Sequence, residues 1–197
     1  MLDRALRATG AISRAGVWCS GALFLAAAFL ISVDVTARKL FSVSIGGSDE
    51  LSGYCLAMGA AWSYSFALLH RANIRVDALY KYFPRPARAG LDVVALIALS
   101  AFMAVVAFYA FEVFASSVSF GSRANTPLQT PLVIPQGIWF AGLAFFLVAL
   151  FLITLKALLL FADKRYVELD RLAGLPSASE EVEEELAGVK ARMEKAP

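Results

Sequence analysis

The sequence predicts an all-α membrane protein of four transmembrane helices, with both termini cytoplasmic and a short amphipathic interfacial helix between spans two and three. Three observations predict it. Of 197 residues, 59% are hydrophobic, above the roughly half that is usual in a soluble domain. The apolar residues gather into four stretches free of Asp, Glu, Lys and Arg, at 15–33, 51–69, 93–111 and 124–155. Finally, Lys and Arg are distributed unevenly between the segments that connect those stretches.

Each stretch supplies the roughly 20 residues that cross about 30 Å of hydrocarbon. The expected spans are about 13–36, 49–70, 90–115 and 136–161, in a membrane domain of residues 1–162. Residues 163–197 are expected to form a charged, partly helical cytoplasmic tail. Arg4, Arg7 and Arg14 precede the first stretch as they would in a signal peptide. Its apolar run is longer than the roughly 7–15 residues of a signal core, however, and Asp34, Arg38 and Lys39 follow it, so a retained anchor is expected. Cys19 and Cys55 stand near the starts of successive antiparallel spans, in opposite leaflets, where no disulfide can join them.

The basic residues set the orientation. Arg4, Arg7 and Arg14, then Arg71, Arg75, Lys81, Arg85 and Arg88, then Lys156, Lys164, Arg165 and Arg171 put twelve in the N-terminal tail, the second connection and the region after the last span. Arg38, Lys39 and Arg123 put three in the other two connections. The positive-inside rule therefore predicts both termini and the second connection inside. The net charge of +2 serves this topology and gives no reason to expect nucleic acid as a partner.

In the second span Gly53, Ala57, Ala61 and Ser65 repeat every four residues. Small side chains at that spacing let membrane helices approach closely, so this is the expected packing face. Gly16 with Ser20, and Gly137 with Ala141, repeat the pattern more weakly. In the second connection Asn73 can cap a helix, and Val76, Leu79, Tyr80 and Phe83 form one apolar stripe. Asp77 and Lys81 pair at i,i+4, and Pro84 ends the helix. With Arg75 and the other cations around it, this helix is expected to lie in the cytoplasmic interface.

The third connection carries Pro127, Pro131 and Pro135 at a spacing of four, which favours extended backbone. It is apolar outside the cytoplasm, and is expected to pack against other protein. Pro135 is expected to open the fourth helix, with Trp139 at the interface. In the tail, Ser177 and Glu180 fit a capping box, and Val182, Leu186, Val189 and Met193 mark a narrow apolar stripe.

The residues that carry chemistry are sparse. His70 is the one histidine, which leaves no axial pair for haem and no zinc set. No nucleophile–base arrangement or phosphate-binding glycine loop is evident. No cofactor is expected and no enzyme activity. Coupled transport of a charged solute needs ionisable groups at mid-depth, and the four stretches hold none. Asp34, Arg38, Lys39, Asp49, Glu50, Glu112 and Arg123 instead cluster toward the outer ends, where they are expected to form a ring of ion pairs suited to docking.

Several stretches together resemble a known family. Ser48-Asp49-Glu50-Leu51-Ser52-Gly53-Tyr54 opens the second span, and Ile74-Arg75-Val76-Asp77-Ala78-Leu79-Tyr80 and Phe83-Pro84-Arg85 follow it. Thr126-Pro127-Leu128, Ile134-Pro135 and Trp139 lead into the fourth. In order and spacing, over roughly residues 12 to 162, this resembles the DctQ-like small membrane subunit of tripartite ATP-independent periplasmic (TRAP) transporters. The family's frequent histidine before Ile-Arg-Val-Asp is replaced by Asn73, and its tryptophan before the acidic pair is missing from Ile45-Gly46-Gly47-Ser48. The resemblance implies an accessory subunit in the bacterial inner membrane. It would brace a large permease subunit and help dock a periplasmic binding protein, in sodium-coupled uptake of an organic acid. The alternatives are an autonomous four-helix transporter of lipophilic compounds and a membrane redox or quinone subunit.

Overall fold

The computed structural model describes residues 2–72 and 83–174, together with Leu186. Five helices are found in the described residues: α1 Leu2–Phe41, α2 Ser48–Leu69, α3 Arg85–Phe120, α4 Val133–Ala162 and α5 Tyr166–Ala173. There is no strand among them beyond an isolated bridge between Arg123 and Pro131. The fold is thus all-helical, as an apolar chain requires where lipid offers backbone groups no partners.

Three of the helices, α1, α3 and α4, are long and apolar enough to cross a membrane. The sequence predicts four. α2 has the length, at 22 residues, but Ser52, Gly53, Tyr54, Gly59, Trp62, Ser63, Tyr64 and Ser65 make it less apolar than its neighbours.

α4 is the centre of the bundle. Of its most apolar window 44% is buried, against 28% in α3 and 17% in α1. α2 packs against α1 and α4, and α3 and α5 pack on α4. Ala149, Leu150 and Ala157 of α4 are fully enclosed, with Phe146 and Ile153 beside them. Polar and aromatic contacts fix the neighbours: Ser100 and Thr154 hydroxyls meet at 3.1 Å between α3 and α4. Trp62 Nε1 of α2 donates to the Ile138 carbonyl of α4 at 3.1 Å, and the Trp62 ring stacks on Phe145.

Helix ends follow local chemistry. α3 begins after Pro84, with Pro86 in its first turn, where a missing N–H costs nothing. It closes on Gly121 at φ 58°, with Ser122 N bonding the Ser117 carbonyl at 3.1 Å. α2 and α4 close the same way, but with Arg71 (φ 53°) and Lys164 (φ 57°) in the left-handed position. The 3.0 Å from Asp163 N to the Leu159 carbonyl and 2.9 Å from Arg165 N to the Leu160 carbonyl complete the α4 end. α4 starts at Val133, two residues before Pro135. Proline is accommodated because the first helical turn has no intrahelical acceptor for its N–H.

α5 packs on α3 and α4. Tyr166, Leu169 and Ala173 recur at helical spacing, and Leu169 and Ala173 are buried against the core. The Arg165 guanidinium pairs with Glu168 at its start, and that carboxylate holds the guanidinium above its usual pKa. The predicted helix of Arg75, Val76, Asp77, Leu79, Tyr80 and Lys81 lies outside the described residues, as does the segment from Ser177 to Met193 apart from Leu186. Phe83 is described and is partly exposed.

Candidate functional site

The most elaborate polar structure lies where α1 ends and α2 begins. Asp34, one helical turn before Arg38, is 2% exposed. Its Oδ1 accepts from the Ile45 backbone N–H at 2.7 Å and the Ser44 hydroxyl at 3.2 Å. Its Oδ2 accepts from the Ser48 hydroxyl at 3.0 Å and from Arg38. One carboxylate thus ties the end of α1, the connecting turn and the start of α2. Ser48 is itself buried, so the tie seals the first turn of α2.

A second node joins α2 to the connection between α3 and α4. Glu50 accepts from the Tyr54 hydroxyl at 2.8 Å and from the Thr126 hydroxyl. That connection is closed on itself: Ala124 N bonds the Thr130 carbonyl at 3.0 Å and Leu132 N bonds the Ser122 carbonyl at 3.0 Å. Its Leu128 side chain lies directly over Gly47. Gly47 has φ 90°, a conformation that favours glycine, and a β-carbon there would make the Leu128 side chain shift. The apolar proline-rich segment packs against the start of the chain's own α2.

The seven residues of the expected ring are therefore not brought into one, and Lys39 is exposed. Asp34 and Arg38 pair, and Glu50 joins the loop. Arg123 donates to the Gln129 carbonyl at 3.3 Å, not to a carboxylate. Asp49 and Glu112 are exposed. Asp34 and Glu50 are held apart by the nearby hydroxyl and N–H donors that each accepts from. Of the hydroxyls that complete the two nodes, Ser48, Tyr54 and Thr126 stand in the stretches that carry the resemblance but were given no role as donors, and Ser44 was not distinguished; hydroxyls beside an acidic pair were the available signal.

The small-residue stripe of α2 also divides. Ala61 and Ser65 are fully buried, while Gly53 and Ala57 are exposed. Steps of four residues rotate about 40° each around a helix of 3.6 residues per turn. Over three steps the stripe winds from an open face into the core. The closest approaches are made by other glycines. A β-carbon on Gly59 would lie 2.6 Å from Phe24 of α1, and one on Gly142 would lie 3.0 Å from the Ala61 β-carbon. Gly16 sits over Trp62 as the weaker pattern suggests, whereas Ala141 is exposed and its neighbour Gly142 makes the contact.

Elsewhere, Lys156 of α4 pairs with Asp3 of α1 at 2.6 Å. His70 stacks on Phe66 with ring centroids 3.8 Å apart. Cys19 and Cys55 are free thiols. Among the described residues no group of three or more His, Cys, Asp or Glu converges as a metal set would.

Long apolar helices with polar ties gathered at one end define a helical membrane component whose construction serves packing. The chain belongs to the DctQ component family of tripartite ATP-independent periplasmic transporters, whose profile matches residues 15–161. That family is a transporter component and works with a large membrane subunit and a periplasmic binding protein as a tripartite system. No curated protein and no solved structure matches the chain.

Proposed function

We propose that this chain is the small scaffold subunit that holds a large permease subunit in the bacterial inner membrane during sodium-coupled uptake of an organic acid delivered by a periplasmic binding protein. The observation that carries the reading is the family match over 15–161, joined to four stretches with no ionisable group at mid-depth. A chain so built has nothing with which to bind a coupling ion or a charged solute inside the bilayer.

In this reading α2 is the fourth span. Its small and hydroxyl side chains suit a helix shielded by α1 and α4 more than one facing lipid. Both termini are cytoplasmic, 1–162 is the membrane domain, and 163–197 is the cytoplasmic tail. The Asp34 and Glu50 nodes then lie on the periplasmic side, with Arg38, Asp49, Glu112 and Arg123 around them as the docking surface for the binding protein. Arg75, Val76, Asp77, Leu79, Tyr80, Lys81 and Phe83 form the interfacial helix on the opposite side. Gly53 and Ala57, exposed in the single chain, offer a close-packing face to the large subunit.

The test is co-purification. Affinity capture of this chain should bring down the large membrane subunit at equal stoichiometry, and Ala57→Leu should weaken capture without altering the helical content of the chain. Labelling of an introduced cysteine at Gln129 from outside, and none at Lys81, is the expected topology. Failure to retain any larger membrane subunit in mild detergent would contradict the scaffold role.

A further inference from the structure

Near the start of α1 and the end of α4, an open groove of about 520 Å³ lies beside α5. Its apolar lining is Leu6 of α1, Leu69 of α2, Ile153 of α4 and Leu172 of α5. Asp3, Arg7 and Lys156 line it as well. Lys156 pairs with Asp3 at 2.6 Å, and Arg7 acts on the same carboxylate from farther off. Two cations thus line the groove against one carboxylate, and Arg4 is exposed on the neighbouring turn of α1.

The chain continues from one wall of this groove. Leu172 lines it, α5 ends at Ala173, and residues 175–197 follow. In that stretch Val182, Leu186, Val189 and Met193 recur at i, i+4, i+7 and i+11, the spacing of one helix face. Glu180, Glu181, Glu183, Glu184 and Glu185 crowd the near end of the stripe, with no Lys or Arg among them. Of the stripe, Leu186 is described, and it is helical and 54% exposed. One chain therefore holds an open, net positive groove and, a short way beyond its wall, an acidic segment with an uncovered leucine.

We propose that the groove seats residues 180–193 of the same chain, with the apolar stripe against Leu6, Leu69, Ile153 and Leu172 and the glutamates toward Arg4 and Arg7. Two observations select this occupant. The first is reach. The stretch from Leu175 to Glu185 spans up to about 36 Å when extended, so the tether holds the segment beside the groove at an effective concentration on the order of millimolar. The second is sign. Five glutamates are repelled by an anionic bilayer surface, which leaves a cationic protein surface to cover the stripe. The connection between α2 and α3, which leaves α2 just after Leu69, carries Arg71, Arg75, Asp77 and Lys81 and has the wrong sign for this groove. Seated there, the segment fastens the start of α1 to α4 and α5, which the exposed Lys156–Asp3 pair does weakly. The inference concerns this chain alone and stands apart from the transporter role.

The experiment is disulfide trapping in the full chain, reconstituted in phosphatidylcholine vesicles on a Cys19→Ser, Cys55→Ser background. Leu6→Cys or Leu69→Cys serves as the anchor, and either suffices if the other lowers the helical content. Each is combined in turn with Val182→Cys, Leu186→Cys or Val189→Cys on the stripe, and with Glu184→Cys, Ala187→Cys or Ala191→Cys on the opposite face. The fastest stripe position should cross-link within the chain roughly tenfold faster than any position on the opposite face, because seating raises its local concentration at the anchor. Arg4→Glu with Arg7→Glu should erase that difference, and adding Glu181→Lys and Glu185→Lys should restore it. Equal rates on the two faces would overturn the proposal, as would cross-links that form between chains rather than within one. A difference seen in detergent and lost in vesicles would mean that lipid fills the groove, and the proposal fails.

Discussion

The two ends of the bundle are built differently. At the Asp34 end, short side chains on neighbouring turns tie three segments through single carboxylates: Asp34 holds Ser44, Ile45 and Ser48, and Glu50 holds Tyr54 and Thr126. At the Lys156 end two of the ties are long side chains, Lys156 to Asp3 and Arg165 to Glu168, with partners largely exposed; Asp92 is a buried carboxylate at the same end, and α5 adds an apolar plug. A buried carboxylate with several donors leaves each of them unpaired when removed, whereas an exposed pair is screened by water and gives up little. The Asp34 end is thus preorganised, which suits the docking role proposed for it. The Lys156 and Arg165 pairs, being exposed, contribute little to holding the other end.

That contrast ranks the expected effects of substitution. Asp34→Ala should lower the melting temperature in detergent more than any other single change considered, because the Ile45 N–H, two hydroxyls and Arg38 lose their acceptor together. Asp34→Asn should fall between it and wild type. A melting temperature for Asp34→Ala equal to wild type would remove the distinction between the ends.

Next in size is packing at the centre. Ala61→Leu places a larger side chain at a fully buried position against Gly142 and should cost about 1–3 kcal/mol, read by thermal unfolding. Ala57→Leu, on the exposed part of the same stripe, should leave the unfolding of the isolated chain unchanged. A smaller effect is expected at the hydroxyl pair between α3 and α4. A double-mutant cycle on Ser100→Ala and Thr154→Val should return a coupling of about 0.6 kcal/mol, the usual scale of interhelical hydrogen bonds in membranes. The smallest belongs to the Lys156 end: Asp3→Asn should leave the melting temperature unchanged within error, since Asp3 is 73% exposed.

Much of the helical framework was legible because charge-free length is a strong signal. Runs such as 93–111 leave little alternative to a long buried or lipid-facing helix. α2 was legible in extent but not in character. Its serines, glycines and aromatic residues lower its apolarity for the same reason that it packs between two helices. α5 was not set apart from the rest of the charged tail because a helix of eight residues is short, although its apolar residues recur at helical spacing. Sequence showed that Asp34, Asp49, Glu50, Glu112 and Arg123 gather toward one end, but not which partner each takes. Opposite charges suggested ion pairs: Asp34 does pair with Arg38, but local geometry also gives it a backbone N–H and hydroxyls, and gives Arg123 to a carbonyl. The stripe from Gly53 to Ser65 was read as one face, and helical rotation over twelve residues turned half of it outward.

The central claim is that this chain braces a transporter and moves nothing alone. The most direct test is sodium-driven uptake into proteoliposomes, with this chain, the large membrane subunit and the periplasmic binding protein each omitted in turn. Uptake should appear only with all three, and omission of this chain should abolish or severely reduce it while the large subunit remains inserted. Robust solute flux with this chain as the only membrane protein, or full uptake without it, would contradict the account.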